Sequence, residues 1–393
     1  MAGLYLYAEL LIHIRQLTLY GSLAEGTQVS GPGGIKLLLA PNKKAITAVY
    51  QGESARIYLP SQISGTPGIT FPTVNGLDFS ARLAPADSSE LDKVVAGRDD
   101  GIEAPWSAVD LDSGCEPHVD GEDEAGEKKG FGAKSKLRIA DGIGLVDILS
   151  LLLHPRDCSS VKVSSLDAIE VNDRVASLNF NPSSGSRSSP DLVLCQKCSA
   201  FLGTVSGHDA EAGYRLFKSA ISVQRQSYDL SIFIGAQLLH LIQNSISRRI
   251  VMHAATTAPP PSDNKTTEGI LVWVFIPDIY YTWSQSQSNR LFIRAMKVLY
   301  KVIENPLELL DAPTSTVEEL ALPEIAYSEF KASLASSAKI LPNSIRSFKM
   351  GADEWSVGLL ERWEKSPSGR RMADADLADV RTDKAGEWKD LLS

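Results

Sequence analysis

Hydrophobic and polar residues alternate through much of the first part of the chain. Ile12, Ile14, Leu17 and Leu19 stand among His13, Arg15 and Thr18, and Gly21 closes the run. A period of two places one face of a strand against a core. Gly31-Pro32-Gly33-Gly34 reads as a turn before a short apolar strand at Lys36–Ala40. Ala45–Tyr50 and Ala55–Leu59 read as two more strands parted by Gln51-Gly52-Glu53, and Leu77, Phe79, Ala81 and Leu83 alternate with Asp78, Ser80 and Arg82. Pro60 and Pro72 lack the ladder donor and belong at strand ends or edges. Short strands at this spacing, with turn residues between them, predict an antiparallel sheet, sandwich or barrel.

The later pattern is mixed. The apolar run Leu145–Leu153 predicts a helix stopped by Pro155, and Arg215–Val223 predicts a strand. Leu230–Ile246 carries Ile234, Leu238, Leu241 and Ile242 on one helical face. Arg249–His253 and Ala295–Tyr300 read as strands, and the almost wholly apolar Ile270–Ile276 reads as a central one covered on both faces. Glu324–Ala338 predicts a helix entered through Leu322-Pro323, and Trp355–Trp363 fits a short helix or a strand. The fold class is therefore α+β, a β-rich N-terminal domain followed by a C-terminal mixed α/β domain. The divisions fall at 1–85 (β-rich), 86–136 (charged and flexible), 137–190 (helical connector and the Ser/Pro-rich linker NFNPSSGSRSSP), 191–365 (C-terminal domain) and 366–393 (disordered tail).

Composition narrows the function classes. A chain of 393 residues with 43% hydrophobic content can bury a large core. A net charge of −9 makes general nucleic-acid binding a poor expectation, because phosphate contacts need clustered Lys and Arg. Four cysteines are too few for a disulfide-stapled scaffold. The N-terminal MAGLYLYAELLIHIRQ lacks a basic leader and is interrupted by Glu9, and no stretch approaches the roughly 20 apolar residues that span a bilayer. These features predict a soluble intracellular protein with reduced thiols and neither nucleic acid nor membrane as a partner.

The sequence lacks G-x-x-x-x-G-K-[ST], G-x-S-x-G, H-E-x-x-H and a Rossmann glycine fingerprint. Its best local signal is Cys195-Gln-Lys-Cys198, a C-x-x-C between apolar runs in DLVLCQKCSAFLG. Two thiolates at this spacing on a tight turn can form half of a tetrahedral zinc site. They can also form a redox pair, or stay as inert thiols. Cys115 with His118, Cys158, His154 and His208 are the residues available to complete a metal site. His240 reads as packed or exposed beside its helix rather than as a ligand.

Several stretches, taken in order, resemble one family. LVLCQKCSAFLG, GYRLFKSAISV, AMKVLYKV, EELALPEIAYSEFKASLASSAKILPNSIRSF and WSVGLLERW are similar to the HECT-like ubiquitin ligases that bind ubiquitin-conjugating enzymes. ELLIHIRQLTL and KGFGAKSKLRIADGIGLVDILSLLLHPRDC resemble the fungal members. The resemblance implies a protein of the cytoplasm or nucleus that binds a ubiquitin-conjugating enzyme and promotes ubiquitin transfer to a client. It implies Cys195 and Cys198 as candidate catalytic thiols, since a thiolate can accept ubiquitin as a thioester. A non-catalytic adaptor with a structural C-x-x-C is the alternative. Relatives carry an earlier C-x-x-C and a Cys/His cluster, of which Cys115-Glu-Pro-His118 looks like a remnant. Cys195, Cys198, Cys115 and His118 would then form an incomplete zinc site. No cysteine follows Cys198, so the C-terminal nucleophile of ordinary HECT ligases is missing.

Overall fold

The apolar N-terminus forms β1 (Leu4–Leu11), which turns back at once into β2 (Gln16–Leu23). The turn falls at Ile12–Arg15, where the Arg15 amide donates to the Ile12 carbonyl and Arg15 takes a left-handed backbone (φ 51°). The alternation expected to continue through Ile12 and Ile14 therefore breaks there. The computed structural model describes residues 4–23, 34–70, 78–85, 104–107, 111, 144–164, 191–206, 213–223, 225–255, 268–285, 292–312 and 316–364. The N-terminal part continues with β3 (Lys36–Leu39), β4 (Ala45–Tyr50), β5 (Glu53–Tyr58), β6 (Ile63–Thr70) and β7 (Asp78–Pro85). The middle holds β8 (Leu145–Val146), β9 (Ser150–Leu153), β10 (Val161–Ser164), β11 (Leu192–Cys195), β12 (Phe201–Ser206) and β13 (Gly213–Phe217). The C-terminal part runs α1 (Leu230–Asn244), β14 (Arg249–Ala254), β15 (Glu268–Trp283), β16 (Ile293–Glu304), α2 (Pro306–Asp311), β17 (Glu318–Leu322), α3 (Glu324–Ala338), β18 (Ser347–Met350) and β19 (Asp353–Glu361).

The described strands form three sheets. The largest has ten strands in the order β18-β19-β16-β15-β1-β2-β7-β6, with β14 also paired to β15 and β17 parallel to β14. The second runs β10-β11-β12-β13-β9-β8, and the third is β3-β4-β5. The α+β expectation holds, with antiparallel pairing dominant. β1 lies antiparallel to β15, with Tyr7 opposite Trp283 and Glu9 opposite Tyr281. Strands from both ends of the chain thus share one sheet.

Three apolar clusters cover this sheet. Leu6, Ala8 and Leu10 of β1, with Leu17, Leu19, Phe79 and Ala81, pack against Ile46, Ala48, Tyr50 and Ile57 of the small sheet. Farther along, Val272, Val274, Met296, Val298 and Leu360 pack under the two long helices. Leu230, Ile234 and Leu238 recur every four residues on α1, and Ala326, Phe330 and Leu334 do so on α3, as a helix covering a sheet requires. A third cluster joins Tyr7, Ile279, Tyr281, Ala295, Leu299, Trp355 and Val357.

Charge is buried at two places in the large sheet. The Lys297 ammonium donates to Glu9 Oε2 at 2.6 Å, with both side chains largely withdrawn from water. The Tyr7 hydroxyl also donates to Oε2 (3.1 Å), and the Tyr20 hydroxyl donates to Oε1 (3.5 Å). Burial first, then the charge of Glu9, raises the Tyr7 phenol well above its ordinary pKa, so it stays a donor. The second place is a bulge in β15, where the pairing with β16 shifts between Val274 and Ile279. Pro277 has no N–H to give there, and its carbonyl accepts from Arg362 Nη1 at 3.1 Å. Arg294 grips Asp278 with two bonds (2.9 and 2.8 Å), and Arg362 approaches the same carboxylate at 3.2 Å. Burial alone would lower the Arg294 pKa, but the hydrogen bonds and charge of Asp278 outweigh it and raise that pKa.

Several local expectations need correction. Leu145–Leu153 forms β8 and β9 rather than a helix, and the described part of the 137–190 connector contains strands and one short 3-10 turn at Pro155–Asp157. The run is too short to distinguish a buried strand from a buried helix by pattern, and pairing with β13 decides it. The strand expected over Arg215–Val223 ends at Phe217, and Lys218–Ala220 forms a 3-10 turn. Ile270–Ile276 is only part of β15, which continues past Pro277 to Trp283 because the bulge absorbs the proline. Trp355–Trp363 resolves as the strand β19. The tail 366–393 and nearly all of the charged segment 86–136 lie outside the described residues.

Replacing Lys297 by Met strands the Glu9 carboxylate in the sheet and is expected to cost about 3–5 kcal/mol of unfolding free energy. The double variant Glu9→Leu/Lys297→Met is expected to recover most of that loss, since no charge then remains to be desolvated. Urea denaturation followed by tryptophan fluorescence measures both. A Lys297→Met protein as stable as wild type would contradict a coupled buried pair.

Candidate functional site

Cys195 ends β11 and Cys198 lies in the turn leading to β12. The sequence makes this turn tight. The Cys195 amide donates to the Ala200 carbonyl and the Ser199 amide donates back to the Cys195 carbonyl, both at 2.9 Å. Ser199 takes a left-handed backbone (φ 56°) to close the loop. A bulge between Val193 and Leu194 offsets β11 from β12 just before the turn. Gly203 lets β12 lie close on β13, because a Cβ there would sit 2.0 Å from the Arg215 carbonyl oxygen.

The neighbouring strand braces the turn. Val161 pairs with Cys195, the Gln196 amide donates to the Ser160 carbonyl at 2.9 Å, and Lys162 Nζ donates to Ser199 Oγ at 2.6 Å. Cys195 is partly exposed and Cys198 is exposed. The Cys195 sulfur accepts from the amides of Cys198 and Lys197 and from the Cys198 thiol, and these bonds lower its pKa in that order of importance. Hydrogen bonds to the charged form favour the thiolate, which is both the nucleophile and the metal ligand. The turn therefore offers a thiol of lowered pKa with a second thiol beside it.

The other residues raised by the sequence do not join it. Among the described residues, no three His, Cys, Asp or Glu side chains converge as a metal-binding group. His154 accepts from the Arg156 amide through Nδ1 at 3.3 Å and caps the 3-10 turn that follows it. Cys158 ends that turn, and burial followed by the charge of Asp157 raises its pKa. His240 sits on α1 beside Asn244, whose amide donates to the His240 carbonyl at 2.9 Å. Cys115, His118 and His208 lie outside the described residues. Among the described residues no further side chains join Cys195 and Cys198 to make up the four ligands that a structural zinc takes.

Pattern reasoning missed two other groupings. His253 on β14 bonds Glu319 on β17 through Nε2 at 2.8 Å and the Ala254 carbonyl through Nδ1 at 2.9 Å. Only the parallel β14–β17 register brings these two together, and nothing local in the sequence signals it. Trp273, Phe275, Phe348 and Trp355 form an aromatic cluster at one end of the large sheet. Its sequence trace is the aromatic content of ILVWVFI, SFKM and WSVGLLERW.

A strand-rich α+β chain whose second sheet presents an exposed C-x-x-C turn is the class of protein that fold and site define. The chain matches the family model described as HECT-like ubiquitin-conjugating enzyme (E2)-binding over residues 115–353, and it belongs to that family. An uncharacterized protein of Saccharomyces cerevisiae is 30% identical over 173 residues, which cover 42% of this chain and 43% of the yeast protein. The matched stretch thus spans less than half of that relative. No solved structure matches the chain. No described helix is long and apolar enough to cross a membrane.

The thiol electrostatics order the reactivities. Iodoacetamide is expected to modify Cys195 at a lower pH than Cys158, because amide donors lower the first pKa while burial raises the second. Peptide mass spectrometry across a pH series reads the order, and earlier labelling of Cys158 would contradict the hydrogen-bonded thiolate.

Proposed function

We propose that this protein binds a ubiquitin-conjugating enzyme and promotes transfer of ubiquitin to a protein client, acting in the cytoplasm or nucleus. The observation that carries the reading is the family match together with a partly exposed thiol of lowered pKa inside the matched segment. In the thioester form of this reading, the Cys195 sulfur attacks the carbonyl carbon that joins ubiquitin to the conjugating enzyme. A new C–S bond forms to Cys195, the old C–S bond breaks, and the conjugating enzyme leaves as its thiolate. A neutral lysine amine of the client then attacks the same carbon, an amide forms, the amine gives its proton to solvent and Cys195 leaves as thiolate. Amide donors at the sulfur favour that departure, since a thiol of lower pKa leaves faster.

A second reading has its own support. The bonds that stabilise Cys195 also shape the turn, since they come from the amides of Lys197 and Cys198. A C-x-x-C used this way serves structure, with or without a metal, and the protein is then an adaptor that holds a conjugating enzyme and a client together. Incubation with ubiquitin-loaded conjugating enzyme separates the two. A reductant-sensitive ubiquitin adduct that disappears in Cys195→Ser establishes the thioester route. An adduct that persists in Cys195→Ser/Cys198→Ser excludes both thiols as acceptors. Client ubiquitination that depends on the protein yet tolerates loss of both thiols supports the adaptor.

A further inference from the structure

β18 stands at one edge of the large sheet. β18 pairs with β19, no described strand covers its other edge, and all four of its residues are exposed. Phe348 and Met350 are 40% and 38% exposed and lie on the same side of the strand, and Phe275 from the β15 bulge is 39% exposed. Phe275 and Phe348 meet at 5.9 Å between ring centres, and Trp273 and Trp355 extend the group inward at 5.6 and 6.0 Å steps. An edge strand this apolar invites pairing unless something protects it or uses it.

The cations around the patch differ in state. Lys301 stands 4.9 Å over the Trp355 ring and is already matched by Asp353 at 3.1 Å. Arg249 stands 5.2 Å over the Trp273 ring and has no carboxylate partner among the described residues. A guanidinium held over an aromatic ring can still donate to a carboxylate. Trp273 already packs against Phe275 and Trp355 at steep interplanar angles, with Arg249 over its ring. Apolar side chains beside a waiting carboxylate receptor fit a protein surface better than a nucleic acid.

We infer that Phe275, Phe348, Met350 and Arg249 form the docking surface for the ubiquitin-conjugating enzyme, which presents to it an apolar contact flanked by a carboxylate. The inference rests on the conjugating-enzyme reading above. It uses residues inside the family-matched segment and none from the cysteine turn. Contact beside β18 also closes the edge that the fold leaves open.

The test titrates the full chain against each recombinant ubiquitin-conjugating enzyme of Saccharomyces cerevisiae by biolayer interferometry. The double variant Phe275→Ala/Phe348→Ala is expected to weaken the interaction at least about tenfold, as loss of a central apolar contact does. Arg249→Glu is expected to weaken it and flatten its salt dependence. Ile14→Asp, at an exposed apolar residue remote in sequence, serves as the control and is expected to leave binding unchanged. Hydrogen–deuterium exchange of the unmodified chain gives a readout that does not depend on variant folding, with protection expected at 273–276 and 347–350. If wild type binds an enzyme but the patch variants bind equally well and these peptides stay unprotected, the docking surface lies elsewhere and the partner reading survives. If wild type binds no conjugating enzyme, the partner reading itself fails. Protection of the same peptides by a single-stranded RNA oligonucleotide alone would overturn the protein-docking assignment.

Discussion

The pairing of β1 with β15 holds the two ends of the chain in one sheet, and the Glu9–Lys297 contact sits at that seam. The partners are 288 residues apart in sequence and 2.6 Å apart in space. Side chains alternate faces along a strand, so a slip of one residue would carry Glu9 to the side occupied by Ala8 and Leu10. The described residues on that side form an apolar cluster, and a carboxylate buried without a partner is costly. The ion pair therefore does more for register than for net stability, because its attraction is largely offset by desolvation. Tyr7, set between Tyr20 at 6.1 Å and Tyr281 at 6.0 Å, reinforces the same register with aromatic contacts on both sides of β1.

What was legible in the sequence was whatever depends on neighbours along the chain. α3 occupies Glu324–Ala338 as expected, because Pro323 marks its start and apolar residues recur at helical spacing. The short N-terminal strands were legible from alternation and turn residues. Leu145–Leu153 was misread because its pairing strand, β13, lies some sixty residues later and nothing in the run itself points to it. The length of β15 was hidden by Pro277, which reads as a terminator until Arg294, Arg362 and Asp278 are seen to satisfy the bulge around it. The site divides in the same way. C-x-x-C and its tight turn are local and were visible, whereas the amide bonds to Cys195 and the stacking of Arg249 on Trp273 follow only from folded geometry.

The two thiols and the aromatic edge belong to different sheets, and this bears on how the molecule works. The cysteine turn is carried by β11 and β12 in the six-stranded sheet, while the aromatic edge is carried by β15, β18 and β19 in the ten-stranded one. If a conjugating enzyme docks at the aromatic edge, transfer to Cys195 requires that its ubiquitin reach the other sheet. An adaptor has no such requirement, since docking and client capture can proceed with the thiols as bystanders. The choice between thioester and adaptor is thus a question of reach as much as of thiol chemistry.

The family-matched segment also leaves the large sheet unfinished. It begins at residue 115 and ends at Asp353, where β19 starts. Within those bounds β15 keeps β14 beside Gly269–Trp273 but loses β1 beside Ile279–Trp283, and β16 lacks the strand that bears Trp355, Val357 and Leu360. Those residues belong to the two apolar clusters that the matched strands share, and Gly358 and Leu360 lie against α3 and α1. A sheet stripped of β1 and β19 would expose the outer edge of β16 and the Ile279–Trp283 part of β15. The matched stretch therefore does not close the large sheet by itself, and the docking surface proposed on it is backed by Trp355 from a strand that lies outside it.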